Sequence, residues 1–256
     1  MPAVDAMATI SEDCMVKLWN LSDMDRKYAE ASTAENLRME PYMTLRGHTG
    51  PLLCSTSVTD VARETSNKNL LFTAGIEGII RIWNIPQVSS ITPYGSTADG
   101  KNYCIGVWTD PDQEQEAIWD LKYHSFQDLM LSLSASDTII LWDCANIDQN
   151  ASESENSGSK AIKRRFKWTS NTNDPANQAV SATCLSWLIT QQNKFAVGYD
   201  SGLIAFWDIL DASEGVPSHD FISTKNINAI EAHPSRSLVC TGHECGAITF
   251  YDYSSM

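Results

Sequence analysis

Hydrophobic and polar residues alternate in short runs along much of the chain, and five of these runs end in the same way. Each combines a small or acidic turn, alternating apolar residues, and an aromatic residue followed by Asn or Asp. Alternation with a period of two predicts half-buried β-strands. The five runs are SEDCMVKLWNL (11–21), GIEGIIRIWNI (75–85), SASDTIILWDC (134–144), YDSGLIAFWDI (199–209) and HECGAITFYDY (243–253).

The second repeat indicates how many strands each unit contains. Residues 51–58 predict an inner strand, 70–75 and 79–84 predict two strands around a tight turn, and 101–108 predict an outer strand. These segments are rich in β-branched and aromatic residues and are bounded by turn-forming residues, as strands are. Corresponding inner strands are predicted at 117–123, 180–187 and 226–232.

The spacing of the five aromatic residues identifies the architecture. A four-stranded propeller blade takes about 40–45 residues, and the observed separations are 64, 59, 65 and 44 residues. The first three intervals therefore carry insertions of about 15–20 residues each. We predict an all-β propeller that occupies 1–256 as a single domain, with repeat cores ending near 20, 84, 143, 208 and 252. The five aromatic residues are Trp19, Trp83, Trp142, Trp207 and Tyr251.

Charge and cysteine usage restrict the class of partner. The formal net charge is −14, which argues against nucleic acid and anionic lipid as main partners. The sequence contains no run of 18 apolar residues that would predict a membrane-spanning helix, and its start does not resemble a secretory signal. We therefore expect a cytoplasmic protein that reaches membranes only through partners. The seven cysteines are odd in number and never spaced C-x-x-C, which favours buried, reduced thiols.

No motif for catalysis, cofactor binding or metal binding stands out. The five histidines lack metal-ligand spacing, and the chain has no G-x-S-x-G elbow, P-loop or G-x-G-x-x-G sequence. Asp120 on a predicted inner strand could point into a propeller channel, but one carboxylate does not make a metal site. We therefore predict no catalytic residue, no cofactor and no metal, and leave the binding surface unassigned.

Two loop segments allow two interpretations each. Residues 145–159 contain little apolar anchorage, so a flexible loop is predicted, in which Ser152 and Ser154 precede acidic residues and could be kinase sites or plain solvated residues. Residues 160–168, KAIKRRFKW, hold five cationic side chains. Their alternation favours a charged edge strand, while a nuclear-import or anion-binding patch is the alternative.

The Trp-Asp or Trp-Asn endings, together with the Gly47–His48 pair upstream of Trp83, resemble WD repeats. In that family a His, a Ser or Thr, an Asp and the Trp join neighbouring strands by hydrogen bonds. The resemblance implies such a network of His48, Thr73, Glu77 and Trp83, with Glu77 in the Asp position and one methylene longer. It also implies structural roles for Asp13, Trp19, Trp142 and Trp207. Other repeats depart from the pattern at Glu114, Ser136, Ser201, Cys245 and Tyr251.

Five repeats are fewer than the seven blades usual in a WD ring. The predicted strands give three full blades and a partial blade at each end, so we expect an incomplete propeller, an open arc. Apolar blade faces would then be exposed at both ends.

More specifically, the chain resembles the C-terminal propeller of the striatin family. This resemblance implies a non-enzymatic scaffold, a regulatory and targeting subunit that brings protein phosphatase 2A together with kinases and Mob-type adaptors. The family's coiled-coil and calmodulin-binding segments have no counterpart here. The alternatives are a different WD scaffold, such as a ubiquitin-ligase receptor, and a propeller hydrolase. The similar stretches are 11–21, 40–53, 75–86, 117–143 and 226–252.

Overall fold

A computed structural model describes most of the chain. The chain divides into two compact units. The first unit spans Met1–Gln115, Ser125–Asp128 and Ala145–Ala161, and the second spans Glu116–His124, Leu129–Cys144 and Ile162–Met256. The residues that the structure describes are 6–23, 25, 40–58, 69–86, 103–112, 116–124, 126–148, 158–168, 181–211, 219–222 and 225–255.

Within its described residues, the first unit contains two antiparallel sheets. Sheet one has the order β1-β2-β3 and sheet two the order β4-β5-β6-β7. A short 3-10 helix, Gly158–Lys160, lies beside β7. The strands are β1 (Ala6–Ile10), β2 (Val16–Asn20), β3 (Met43–Leu45), β4 (Leu52–Ser57), β5 (Leu70–Gly75), β6 (Ile80–Asn84) and β7 (Cys104–Trp108).

The described part of the second unit contains three antiparallel sheets. Sheet three has the order β8-β9-β10-β11, sheet four β12-β13-β14-β15 and sheet five β16-β17-β18. The strands are β8 (Ile118–His124), β9 (Leu129–Ser134), β10 (Thr138–Asp143), β11 (Ile162–Lys167), β12 (Ala182–Trp187), β13 (Lys194–Tyr199), β14 (Leu203–Asp208), β15 (His219–Ile222), β16 (Ile227–Ala232), β17 (Leu238–His243) and β18 (Ile248–Asp252).

In all five sheets the same turn leads into the strand that carries the Trp or Tyr of the repeat. A residue with left-handed φ stands at the same place in each hairpin, because a tight turn between twisted strands needs positive φ there. Three of these residues are glycines, for which the conformation carries no Cβ penalty. The five positions are Cys14, Gly78, Asp137, Gly202 and Gly246, with φ of 65°, 69°, 63°, 85° and 82°.

Each sheet has two faces that pack differently. We call the face that bears the repeat's Trp or Tyr the leading face, and the opposite one the trailing face. In the first unit the trailing face of sheet one, with Val16 and Leu18, packs on the leading face of sheet two, with Leu71 and Trp83. Burial of these apolar side chains holds the sheets together.

The second unit repeats this packing twice. Leu131 and Leu141 on the trailing face of sheet three join one core cluster with Val197 and Trp207 on the leading face of sheet four. A separate cluster joins the trailing face of sheet four to the leading face of sheet five. The members of that cluster include Ala196, Ile204, Phe206, Ile227, Val239 and Tyr253.

The structure confirms the all-β prediction of a WD-type propeller with about five repeats. The sheets contain three, four, four, four and three strands within the described residues, which is the predicted distribution. The basic segment forms β11 at the edge of sheet three. Most of the predicted flexible loop 145–159, with Ser152 and Ser154, lies outside the described residues, as does Glu114. Among the described residues, no helix is long and apolar enough to cross a membrane.

Candidate functional site

In sheet two the structure brings four predicted residues into one chain of hydrogen bonds. The Trp83 Nε1–H donates to Thr73 Oγ1 at 2.8 Å, and Thr73 Oγ1 lies 2.7 Å from His48 Nε2. His48 Nδ1 in turn contacts Glu77 Oε1. A neutral imidazole protonated at Nδ1 satisfies every partner, since it donates to Glu77 and accepts the Thr73 hydroxyl proton. The chain ties the segment before β4 to strands β5 and β6.

The longer side chain of Glu77 makes use of both carboxylate oxygens. While Oε1 meets His48, Oε2 accepts bonds from the Thr49 hydroxyl at 2.6 Å and from the Thr49 backbone N–H at 3.1 Å. Burial pushes the pKa of Glu77 upward, but these bonds from Thr49 and His48 outweigh it and the pKa is lowered. Burial lowers the pKa of His48 despite its carboxylate partner, so the imidazole stays neutral at pH 7.

The other sheets keep only part of this arrangement. Trp19 donates to Thr9 Oγ1 at 2.9 Å in sheet one, and Trp142 donates to Ser132 Oγ at 2.8 Å in sheet three. Asp13 lies in the β1–β2 turn, at the position that Glu77 occupies in the β5–β6 turn. It accepts the Met15 N–H at 3.0 Å and pairs with the partly exposed Lys17.

Sheet four has no hydroxyl at the position of Thr73. Strand register places Val197 where Thr73 stands in sheet two, two residues beyond the partner of the tryptophan. The Trp207 N–H consequently makes no direct hydrogen bond within the described residues. The Trp207 N–H lies near the Tyr199 hydroxyl and acts to lower the Tyr199 pKa, but burial has the larger effect and raises that pKa.

In sheet five a histidine from another strand takes the role of His48. His243 Nε2 lies 2.9 Å from Thr241 Oγ1 and 3.1 Å from Thr249 Oγ1, and Nδ1 lies 3.1 Å from the Lys225 carbonyl oxygen. His243 ends β17, whereas His48 precedes β4. A sequence pattern that expects the histidine before the first strand of a repeat therefore does not identify His243.

The inner strands carry a recurring irregularity that alternation does not reveal. A β-bulge interrupts pairing at the second residue of β4, β8, β12 and β16. Bulges re-aim the inserted side chain and are frequent at rims and binding sites. The inserted residues are Leu53, Trp119, Thr183 and Asn228.

In the second unit three of these bulge residues line one open groove of about 450 Å³. Trp119, Thr183 and Asn228 come from three successive inner strands, and Trp119 is 47% exposed. Sheet five supplies apolar and small side chains to the wall, including Ile248 and Ala229. We call this feature the inner-strand groove.

Three charged residues line the inner-strand groove. Lys122 from sheet three pairs with Glu231 from sheet five at 3.0 Å. Asp120 is largely buried and accepts backbone N–H bonds from Leu121 and Leu185, both at 2.9 Å. Burial raises the pKa of Asp120, and although burial disfavours the Lys122 ammonium, Asp120 and Glu231 raise the pKa of Lys122.

These contacts define what the groove can do. The Asp120 carboxylate joins β8 to β12, so its oxygens serve the fold. Among the described residues, no three His, Cys, Asp or Glu side chains gather as metal ligands do. What faces solvent is an indole, an aliphatic side chain and an ion pair, which suits recognition of a polypeptide segment. Sequence reasoning found Asp120 but missed Trp119, because no residue type signals the bulge.

Comparison with known proteins agrees with this fold. A family model for the WD domain, G-beta repeat, matches residues 39–84, which include His48, Thr73, Glu77 and Trp83. The match and the succession of antiparallel sheets define the fold class as an incomplete WD-repeat β-propeller.

Within that class, the chain is similar to striatins along nearly its whole length. It is 28% identical to the striatin homolog of Dictyostelium discoideum over 99% of the chain, and 28% identical to Homo sapiens striatin over 98%. Identity with Mus musculus striatin-3 is 29% over 98% of the chain. The chain spans about 28% of the length of these curated relatives. The resemblance inferred from the repeats is confirmed.

Proposed function

We propose that the chain is a non-enzymatic WD-repeat scaffold of the striatin type that acts in the cytoplasm. In this proposal it docks an adaptor or substrate protein within an assembly of protein phosphatase 2A, kinases and Mob-type adaptors. Similarity to striatins over 98% of the chain supports the choice of assembly. The inner-strand groove supports the choice of docking surface.

One observation carries the docking proposal: three successive inner strands each insert one bulge residue into the same groove. Trp119 offers a half-exposed indole, and aromatic side chains of this kind dominate binding energy at protein interfaces. Thr183 and Asn228 beside it offer hydrogen-bonding groups for a polypeptide backbone.

The polar groups of the fold support a scaffold over a hydrolase. Asp120 already accepts two backbone N–H bonds, and Glu77 uses both oxygens on His48 and Thr49. An acid, base or nucleophile must be able to reach a substrate. In this chain these two carboxylates hold strands together instead.

Direct binding of purified proteins tests the proposal. The 256-residue chain is immobilised and titrated with a Mob-type adaptor and with phosphatase 2A subunits, and binding is measured by biolayer interferometry. Trp119→Ala should weaken binding at least about tenfold, which is the effect of losing an interface anchor worth more than about 1.4 kcal/mol. Phe126→Ala is the matched control, since Phe126 is an exposed aromatic residue outside the groove.

Three results would contradict the proposal or its choice of docking surface. Binding to cullin-adaptor proteins in place of phosphatase 2A and Mob adaptors would make the chain a ubiquitin-ligase receptor. Calcium-dependent hydrolysis of esters or lactones by the purified chain would make it a propeller hydrolase. Equal affinity of the wild type and Trp119→Ala would move the docking surface away from the inner-strand groove.

A further inference from the structure

The residue that follows the bulge differs between the inner strands. Strand register places four residues at the equivalent position, directly after the inserted residue. Three of them are small and uncharged, and the one in sheet three is a carboxylate. The fold of a repeat therefore does not require a carboxylate at this position. The four residues are Cys54, Asp120, Cys184 and Ala229.

The carboxylate in sheet three is held in its place against the effect of burial. Burial raises the pKa of Asp120, so the folded chain disfavours the charged form of this group. Lys122 on the same strand acts to lower that pKa, Glu231 on β16 acts to raise it, and the Cys184 thiol of β12 lies close enough to interact with the carboxylate. A group that burial disfavours, at a position that other repeats fill with Cys or Ala, indicates a task beyond the fold.

The bonds of Asp120 fix the backbone next to Trp119. Asp120 Oδ1 accepts the N–H of Leu121 within β8, and Oδ2 accepts the N–H of Leu185 in β12, both at 2.9 Å. A bulge sets the direction in which its inserted side chain leaves the strand. Because one peptide unit joins Asp120 to Trp119, these two bonds also restrict the direction of the indole.

Sheet four makes the tie between inner strands in a different way. There the bulge residue itself is used, since Thr183 Oγ1 lies 2.5 Å from the Ile227 carbonyl oxygen of β16 and 3.0 Å from the Gly198 carbonyl oxygen. In sheet three the tie comes from Asp120 instead. The side chain of Trp119 is thereby left to face the inner-strand groove, where it is 47% exposed.

We propose that Asp120 is a positioning residue for docking, whose carboxylate holds the β8 bulge in the geometry that presents the Trp119 indole to a bound polypeptide segment. The part of this inference that concerns docking rests on the proposed function of the inner-strand groove. An indole that is already oriented in the free chain avoids the entropy loss that a mobile side chain suffers on binding.

Fluorine NMR of the 256-residue chain labelled with fluorotryptophan tests the positioning directly. Asp120→Cys installs the residue that Cys54 and Cys184 provide at the equivalent positions. The chain has eight tryptophans, and Trp119→Phe assigns the resonance of Trp119. In Asp120→Cys this resonance should shift toward that of free fluorotryptophan, while the resonance of the fully buried Trp83 should stay in place.

Stability and affinity separate positioning from folding. The melting temperature of Asp120→Cys should stay close to that of the wild type, because water in the open groove can accept the N–H groups of Leu121 and Leu185. Its binding to a purified Mob-type adaptor should weaken about three- to tenfold, which is the effect of ordering one mobile side chain on binding. Cys54→Ala is the matched control, and it should leave the Trp119 resonance and the affinity unchanged.

The pH dependence of the Trp119 resonance identifies the carboxylate as the responsible group. In acid the wild-type resonance should move toward that of Asp120→Cys, at a pH above the ordinary range of Asp since burial raises the pKa of Asp120. Asp120→Asn should give a pH-independent resonance between the two, because its amide oxygen can accept one of the two N–H bonds. Glu231→Gln should keep the wild-type transition. Lys122 and Cys184 stay protonated throughout, since the pKa of each is raised.

Three outcomes would overturn the proposal. One is a Trp119 resonance that is the same in the wild type and Asp120→Cys. Another is a large drop in the melting temperature of Asp120→Cys with shifts of all resonances, which would make Asp120 a residue of the fold. The third is an Asp120→Cys variant that binds the adaptor as tightly as the wild type while Trp119→Ala binds weakly.

Failure of the proposed function gives a different result. If the wild type did not bind the adaptor but Asp120→Cys still shifted the Trp119 resonance, the positioning of the indole by Asp120 would be supported. Only the choice of docking partner would then be wrong.

Discussion

Sheets two and four have the same strand order but stabilise their central tryptophan in different ways. Trp83 ends a chain of hydrogen bonds through Thr73 and His48 to Glu77. Trp207 stands at the equivalent position, yet Val197 replaces the threonine and the indole N–H makes no direct hydrogen bond within the described residues. One sheet satisfies a buried polar group, and the other buries it among aromatic rings.

The aromatic surroundings of Trp207 explain how sheet four tolerates this. Phe195 stacks on Trp207 with ring centroids 6.4 Å apart and an interplanar angle of 10°. Phe166 and Trp168 meet the same indole edge-on, at 5.9 and 6.4 Å. Aromatic pairs of this kind add about 0.5–1.5 kcal/mol each beyond area burial. The comparison teaches that a repeat can replace its hydrogen-bond chain by packing.

The largest predicted effect tests what the two sheets share. Trp83→Ala and Trp207→Ala should each lower the free energy of unfolding by about 3–5 kcal/mol, because both remove a fully buried indole. Thermal and urea melts measure the loss. Trp119→Ala is the control, and it should cost far less because Trp119 is half-exposed. A melt of Trp83→Ala that does not move would contradict the packing of sheet two.

The next prediction separates the two sheets. Thr73→Val keeps the shape of the side chain but leaves the Trp83 N–H and the Nε2 atom of His48 without their hydrogen-bond partner in the sheet. The expected loss is about 1–3 kcal/mol, the usual cost of an unsatisfied buried polar group. Urea unfolding measures it.

Thr9→Val is the matched control for Thr73→Val. Thr9 also accepts a tryptophan N–H ten residues away, but this pair is exposed, so water can replace the hydroxyl. The expected change is below about 0.5 kcal/mol. Equal losses for the two variants would mean that burial of the hydrogen-bond chain is irrelevant.

Acid should weaken sheet two. The folded-state pKa of His48 lies below its ordinary value of 6.5, since burial disfavours the imidazolium. Its contribution is therefore fully present above pH 6.5 and is lost as the pH falls toward the folded-state pKa. The pKa of Glu77 is also lowered from 4.5, so its contribution declines below pH 4.5, in the same direction.

Thermal melts between pH 7.5 and 5 measure the effect of His48. The melting temperature of the wild type should fall with pH, and His48→Gln should show a smaller fall because it lacks the titrating imidazole. His124, whose pKa burial also lowers, contributes to both proteins and cancels in the difference. A wild type and a His48→Gln variant with parallel pH profiles would contradict the assignment of a neutral His48.

Much of the fold was predictable because local pattern and tertiary packing agree. Short runs rich in apolar, β-branched and aromatic residues around a tight turn predicted strands at 70–75 and 79–84, which match β5 and β6 within one residue. The grouping of His48, Thr73, Glu77 and Trp83 followed from a resemblance, and the four side chains do lie together. In such segments each residue serves the same strand and the same core.

The inner-strand groove was not predictable for a physical reason. Trp119 reads as one more apolar residue in an alternating strand, and only the register between β8 and β9 shows that it is inserted at a bulge. Likewise, His243 contacts Thr241 from its own strand rather than from the segment before it. Pairing between strands determines both features, and residue types along one strand do not record it.

The smallest predicted effect sharpens the comparison from the side of sheet four. Val197→Thr places a hydroxyl where Thr73 has one, at a site that is fully buried. The new oxygen can accept the Trp207 N–H, which gains about 1 kcal/mol. However, the new hydroxyl also brings a proton, and among the described residues of sheet four no imidazole stands in the place of His48 to receive it. The gain and this desolvation cost nearly cancel, so the free energy of unfolding should change by less than about 1 kcal/mol.

Urea unfolding of Val197→Thr and of Thr73→Val, measured side by side, tests this prediction. If Val197→Thr stabilised the chain by as much as Thr73→Val destabilises it, the hydroxyl alone would carry the effect and His48 would contribute nothing to the tryptophan. The expected asymmetry instead assigns the value of the hydroxyl to its two partners together.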